Sequence, residues 1–273
     1  MKKVIIPTIL IIVCILVYSF FINPYQFKIN EYTIYSSKIT ENFDGFKITH
    51  FSDVLLGSTT TMKEFEKIIE EIKETNPDII IFTGDLFHQN YEVSRDEKRK
   101  IKDLLLSLNC NLYKYAIIGD NDKENLNLYK EIMSDANFQI LDNTSTYLFY
   151  KDIDPILITG ITDSENLQSA YKGEEGITPT LRITLTHYPD YFDSINPADA
   201  DLIFAGHSLG GQIRLPFFGG TIKKEGAKTY IDTFYEIEDS KMYVSNGLGT
   251  EKYPVRTMNT PSINIYRLVK GQK

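Results

Sequence analysis

The sequence has 273 residues and a mass of 31.4 kDa, with 42% hydrophobic and 24% charged residues and only 16 Gly and 10 Pro. These values exclude collagen-like, low-complexity and wholly disordered chains and leave enough polypeptide for one sizeable core. Lys and Arg number 29 against 37 Asp and Glu, a formal net charge of −8, and no Lys/Arg cluster offers a basic face, so nucleic-acid backbone binding is not expected.

Residues 4–22 (VIIPTILIIVCILVYSFFI) carry no charge. At 1.5 Å rise per residue they reach roughly 28 Å, close to a bilayer core, so residues 1–22 are expected to form a transmembrane anchor. Pro7 falls in the first turns, where a missing backbone donor costs least. Lys2 and Lys3 precede the run, which predicts a single-pass cell-membrane protein with its N-terminus cytoplasmic and its C-terminal domain extracytoplasmic. No small-x-small pattern ends the run, so an uncleaved anchor is favoured over a signal peptide. Lys2 and Lys3 are the only charges in residues 1–22, which leaves −10 on the remainder. Anionic headgroups would repel such a surface, so the anchor must do the holding. Cys14 and Cys110 are neither motif-spaced nor placed to meet, which argues against a disulfide framework or a cysteine zinc site.

Residues 23–45 read as a stalk running into an edge strand, and residues 46–273 as one domain. Within it, 46–53 is strand-like, and 61–76 carries Phe65, Ile68, Ile69 and Ile72 at helical spacing. The apolar run 78–85 (DIIIFTGD) has the look of a buried strand. Residues 94–108 form a charged helix with Ile101, Leu104, Leu105 and Leu108 on one side; 112–118 is a strand and 125–136 a helix. This alternation predicts a sheet with covering helices. Later strand-like segments at 146–150, 155–159, 181–185, 201–205, 229–237 and 262–268 have little helix between them, so a second sheet packed on the first is expected.

Polar residues collect just after the apolar strands: Ser52-Asp53, Gly84-Asp85, Gly119-Asp120-Asn121-Asp122, Thr186-His187 and Gly206-His207. Ligands of open α/β sheets bind beyond the carboxyl ends of strands, so these groups aim at one edge. Two imidazoles with three carboxylates suit zinc, iron or manganese. A lone Asp after a strand is ordinarily a cap or turn former, and only the ordered set is specific.

In that order, FSDVLLG, FTGDLF, IIGDND, TLTHYPD and AGHSLGGQIRLPFFG resemble the five signature blocks of the calcineurin-like metallophosphoesterases, in particular their membrane-anchored bacterial branch. The likeness runs from about residue 44 to 268 and includes SNGLGTEKYPVR at 245–256. It implies an α/β fold, a four-layer αββα sandwich, with two metal ions at the strand ends. The family pattern differs from this sequence in four places: Leu55 and Leu209 stand where it has His, Asp120 where it has Asn, and Asn121 where it has His.

Carried over residue by residue, the first metal set becomes Asp53, Leu55, Asp85 and Leu209, with both imidazoles gone. The second becomes Asp85, Asp120, His187 and His207, all able to ligate. The resemblance therefore implies one tightly held divalent ion, with a second absent or weak and Asp53 a marginal ligand. Two leucines in place of two imidazoles suggest apolar filling. Three carboxylates against one divalent ion leave −1, a poor cradle for a phosphate dianion. The family's leaving-group His is here Asn121, a donor that cannot shuttle a proton. The functional expectation is a membrane-anchored metal-dependent phosphoesterase acting on an unknown phosphoester. The alternative is an inactive pseudo-phosphoesterase serving as a binding or scaffolding module. His88 is expected to be a surface or supporting histidine, with a substitute imidazole for the site as the alternative; His50 is expected to be structural, and Phe217-Phe218 part of the core, with a loop tip dipping toward the membrane as the alternative.

Overall fold

The computed structural model describes residues 2–171, 173–174 and 176–272. The apolar N-terminus forms α1 (Lys2–Phe21), and the stretch Ile5–Tyr25 is long and apolar enough to cross a membrane, with mean hydropathy 2.8 and almost no burial. Its last turn docks on the domain. Arg256 N–H donates to Ser19 O at 2.9 Å, the buried Asn23 amide donates to Arg256 O at 3.0 Å, and Thr260 Oγ1 donates to Asn23 Oδ1 at 2.9 Å.

The strands in chain order are β1 (Lys28–Ser36), β2 (Lys47–Phe51), β3 (Ile79–Phe82), β4 (Lys114–Ala116), β5 (Phe138–Ile140), β6 (Thr144–Leu148) and β7 (Ile156–Ile161). They continue as β8 (Leu181–Thr186), β9 (Leu202–Ala205), β10 (Arg214–Leu215), β11 (Gly219–Gly220), β12 (Phe234–Ile237), β13 (Ser240–Val244) and β14 (Ser262–Lys270). The helices after α1 are α2 (Met62–Glu74), α3 (Arg95–Leu106), α4 (Leu126–Asp135) and the one-turn α5 (Leu167–Ala170).

One six-stranded sheet has the order β1-β14-β2-β3-β4-β5 and the other β12-β13-β9-β8-β7-β6, with β10 and β11 as a separate hairpin. The run Ile79–Phe82 is wholly buried because both faces are covered: Ile80 and Phe82 meet the helices, and Ile79 and Ile81 meet the second sheet. From the other side, Ile183, Leu185, Leu202 and Phe204 complete the core between the sheets. Short helical turns and Tyr230 cover the outer face of the second sheet, over Ile203, Ala205, Met242 and Val244. The result is an αββα layering whose second helical layer is thin.

Local chemistry explains the helices. Thr61 accepts from Glu64 N–H at the start of α2, and Ser94 with Glu97 forms a reciprocal capping box at the start of α3. The buried stripe Phe65, Ile68, Ile69 and Ile72 matches the periodicity of the sequence, each side chain contributing roughly 1.5–3 kcal/mol by burial.

Three segments differ from expectation. The segment expected to finish the second sheet, β14, instead enters the first, antiparallel to β2 (Asn264↔His50) and parallel to β1. Its first five residues are buried on both faces, so its own pattern fits either sheet. Residues 229–233 are not strand, and the pairing starts at Phe234. Phe217 and Phe218 are not core: they cap the β10–β11 turn at 106% and 83% exposure. Apolarity alone does not distinguish a core pair from a turn tip. His50 is buried between the sheets, with Nε2 2.8 Å from Thr83 Oγ1, and burial lowers its pKa to about 3.

Candidate metal centre

Five parallel strand ends converge. Asp53 follows β2, Asp85 follows β3, Asp120 and Asn121 follow β4, His187 follows β8 and His207 follows β9. Asp53, Asp85 and His207 adopt positive φ (50°, 61° and 64°), turning their side chains sharply off the strands. The neighbouring glycines are required by close approach. A Cβ on Gly119 would overlap the Asp85 carboxylate, and one on Gly206 would overlap Ser52 Oγ.

Ligand-type atoms of Asp85, Asp120, His187 and His207 all lie within 4.8 Å of one another. His187 Nε2 is 2.8 Å from Asp120 Oδ1 and 3.3 Å from Asp85 Oδ2; His207 Nδ1 is 3.2 Å from both Asp120 Oδ1 and His187 Nε2. The outer ring nitrogens face carbonyls: His187 Nδ1 donates to Thr83 O at 2.6 Å, and His207 Nε2 donates to Glu225 O at 2.7 Å. These bonds fix the tautomers and leave His187 Nε2 and His207 Nδ1 as inward-facing lone pairs. Such a donor set fits one divalent transition ion.

The electrostatics agree. Burial alone would lower His187, but Asp85, Asp120 and Asp53 outweigh it and hold the imidazole well above its usual range. Burial opposes ionisation of Asp120, yet hydrogen bonds and charges from the two histidines hold it far below the ordinary carboxylate value. The cluster is thus a negative hole that draws a proton where no stronger cation is present.

The remaining expected residues lie around this group. Asn121 donates twice to Asp85, through its backbone N–H at 2.9 Å and its amide at 2.6 Å. Asp53 stands outside the four: it is fully buried, its oxygens accept His207 N–H at 3.1 and 3.0 Å, and burial raises its pKa against the pull of His187. His88 lines the cleft mouth without joining the group, its Nδ1 bonded to Gln89 O at 3.0 Å.

Leu55 and Leu209 are both buried beneath the 246–249 loop, where Gly249 abuts Leu55 and Gly247 abuts Leu209 and Asp53. Asp53 O accepts the N–H groups of Leu248 and Gly249 at 3.0 and 2.8 Å.

Two contributors were not assigned roles from the sequence. Asp122, fully buried, accepts the N–H groups of Asp85, Leu86 and Gly119 at 2.8–2.9 Å and so clamps the second block to the third. Burial and the Asp85 charge push it up to about 7, against those amides. Its place in GDND, one residue past Asn121, was the available signal. Arg256 is wholly buried and donates to Leu209 O, Asn246 O and Gly249 O at 3.3, 2.6 and 2.5 Å. Burial lowers its pKa to about 9, with Asp53 pulling the other way. No local pattern marks an Arg 47 residues beyond Leu209 as its partner.

The group opens into a cleft of about 540 Å³ whose walls include Tyr188, Lys224, Glu251 and Lys252. Tyr188 packs edge-on against both histidines, with ring centres 4.7 and 5.4 Å away, and Lys224 pairs with Glu251 at 2.5 Å. A larger groove of about 690 Å³, floored by Lys38 and Asp201, has no histidine or cysteine among its lining residues.

Comparison with known proteins agrees with this geometry. The calcineurin-like phosphoesterase family matches residues 46–211, from β2 to just past the fifth block. The metallophosphoesterase YkuE of Bacillus subtilis is 32% identical, covering 92% of this chain and 88% of its own. The UDP-2,3-diacylglucosamine pyrophosphatase LpxG of Chlamydia muridarum is 26% identical over 82% and 83%, and a transmembrane protein with metallophosphoesterase domain from Danio rerio is 26% identical over 86% and 56%. With the family match spanning more than half of its length, and strand ends that carry the corresponding acids and imidazoles, this chain belongs to the calcineurin-like phosphoesterases, a family of metal-dependent hydrolases.

Proposed function

We propose that this chain is a membrane-anchored phosphoesterase working with one tightly held manganese, iron or zinc ion at Asp85, Asp120, His187 and His207, with any second ion weak. The observation that carries this reading is the gathering of four ligand-type atoms within 4.8 Å, with both imidazoles aimed inward by carbonyl partners. Residues 1–22 are the anchor, 23–45 the connection and edge strand, and 46–273 the phosphoesterase domain, with the N-terminus cytoplasmic.

The ion, when bound, would supply Lewis acidity toward a phosphoryl oxygen. The chain's own residues do the rest. Thr83 O and Glu225 O hold the rings of His187 and His207 so that Nε2 and Nδ1 respectively face the ion. Asn121 fixes Asp85 through two hydrogen bonds and can donate to a substrate oxygen, but it carries no exchangeable acid proton for a leaving group. Lys224, paired with Glu251, and Lys252 line the cleft beside Glu225, so a phosphoester anion would meet two cations partly offset by two carboxylates. A relative named for a diacylated nucleotide sugar supports a phosphoester presented at a membrane.

A second reading, an inactive module that binds at the cell surface, is favoured by Leu55 and Leu209, buried beneath the 246–249 loop, and by Asn121 in place of an acid. One experiment separates the two: metal content, and hydrolysis of bis(4-nitrophenyl) phosphate with added manganese, on the full chain in detergent micelles. Turnover that disappears in His187→Ala supports the phosphoesterase. One equivalent of metal with no turnover above that variant supports the binding module. Two tight equivalents overturn the single-ion assignment.

A further inference from the structure

The β10–β11 turn is hard to explain as ordinary surface. Phe217 and Phe218 are consecutive, 106% and 83% exposed, and Phe217 is held at φ 68°. A bulky side chain in that backbone region is strained by about 1 kcal/mol or more, and two water-exposed aromatic rings add an aggregation liability. Nothing in the packing of the turn returns that cost in water.

Its position in the molecule suggests what does. Arg214, at the foot of the hairpin, donates its N–H to Thr257 O at 2.9 Å, and the adjacent Arg256 N–H donates to Ser19 O, also at 2.9 Å. Ser19 lies in the last turn of α1, inside the apolar stretch Ile5–Tyr25. The strip 256–258 is therefore fastened to the helix at the depth where it leaves the hydrocarbon, and Met258 on that strip is 65% exposed. Phe217 is three residues from Arg214, so at strand spacing its Cα lies within roughly 10 Å of the Arg214 Cα. The hairpin thus starts at the strip that holds the end of the helix.

We propose that the Phe217-Phe218 turn, with Met258 beside it, is a second membrane contact that dips into the headgroup and upper acyl region of the leaflet from which α1 emerges. This rests on the reading of α1 as membrane-spanning. A shallow apolar wedge of this kind reaches about 5–10 Å into that boundary. It also overcomes the repulsion of an acidic domain from anionic lipid, because the contact is apolar and the helix already holds the domain in place. The chain leaving the turn passes through Gly219–Gly220 and soon supplies Lys224 to the cleft and the Glu225 carbonyl to His207. A seated turn therefore holds the cleft mouth at the headgroup layer.

The chain has no tryptophan, so single replacements report without background. Full-length Phe217→Trp, Ile153→Trp and Leu16→Trp variants are reconstituted in phosphatidylcholine/phosphatidylglycerol vesicles containing spin-labelled lipid. Ile153 is an exposed position on the β6–β7 turn, at the sheet edge away from the strand ends that carry the site. The expected result has three parts. Leu16→Trp is blue-shifted and quenched strongly by labels along the acyl chain. Phe217→Trp is blue-shifted and quenched most by labels near the ester end, and Ile153→Trp stays red-shifted and unquenched. Quenching of Leu16→Trp with none at Phe217→Trp overturns the wedge and leaves the anchor standing. Absence of both removes the anchor and the wedge together. A blue-shifted Phe217→Trp that no labelled lipid quenches assigns the turn to a protein contact and also overturns the proposal.

Discussion

The two halves of the strand-end edge share a backbone and differ in content. On one side, His187 and His207 face Asp85 and Asp120 with their tautomers fixed by carbonyls. On the other, Leu55 and Leu209 lie buried under the 246–249 loop beside Asp53, with Arg256 tying that loop to the Leu209 carbonyl. Leu55 (φ 50°) and Leu209 (φ 48°) nonetheless keep the left-handed backbone that Asp53 and His207 also use. Leucine gains nothing from that conformation, which costs about 1 kcal/mol or more per residue. Hydrogen bonds hold this strained frame: Leu55 N–H donates to Asp85 O at 3.1 Å, and Asp53 O accepts from Leu248 and Gly249.

The largest expected effect comes from the polar half. His187→Ala should lower metal affinity by about 100-fold or more and remove any turnover, read by metal analysis and phosphodiester hydrolysis. Retained stoichiometric metal in that variant would erase the contrast between the halves. Next, the double replacement Leu55→His, Leu209→His should raise bound manganese from one equivalent to two, because both positions lie under the 246–249 loop that also packs on Asp53. An unchanged stoichiometry would show that the loop at 246–249 has closed the space for good.

Arg256→Leu should destabilise the apolar half by about 3 kcal/mol, since it takes the guanidinium donor from the Asn246 and Gly249 carbonyls while Leu209 O keeps Gln212 N–H and the Asn259 amide, and melting of the full chain measures it. Metal content at the other half should change little. The smallest effect concerns the core between the sheets. His50 takes a proton near pH 3 in the folded protein and near pH 6.5 when unfolded, so its contribution is fully present above about 6.5 and is lost as pH falls toward 3. The loss should be about 1 kcal/mol by about pH 5.5, and His50→Gln should flatten that part of the stability profile. An identical acid profile in the variant would show that other buried groups dominate.

Much of the candidate site was legible because each block is local: an apolar strand, a glycine for close approach, then an acid or imidazole. Asp53, Asp85, Asp120, His187 and His207 could be named from that pattern, whereas their division into a set of four and a set with leucines at 55 and 209 came only from the resemblance to the family. Asp122 and Arg256 could not, because their work is done through backbone groups of other segments, which have no side-chain signature. Phe217-Phe218 was misplaced for a related reason: hydrophobicity says that a residue avoids water and not what it meets instead.

The sequence by itself determined the alternation of helices and strands, the apolar N-terminal helix and the chemistry available at each strand end, because these follow from periodicity and residue type within short windows. Only the tertiary structure decided that β14 joins the first sheet, that Arg256 braces the loop over Leu55 and Leu209, and that the hairpin carrying an exposed phenylalanine turn pairs at its foot with the strip bonded to α1. Each of these depends on which distant backbone groups pair. A buried amide or carbonyl accepts any donor or acceptor of suitable geometry, so the chain's global packing, and no local code, selects the partner.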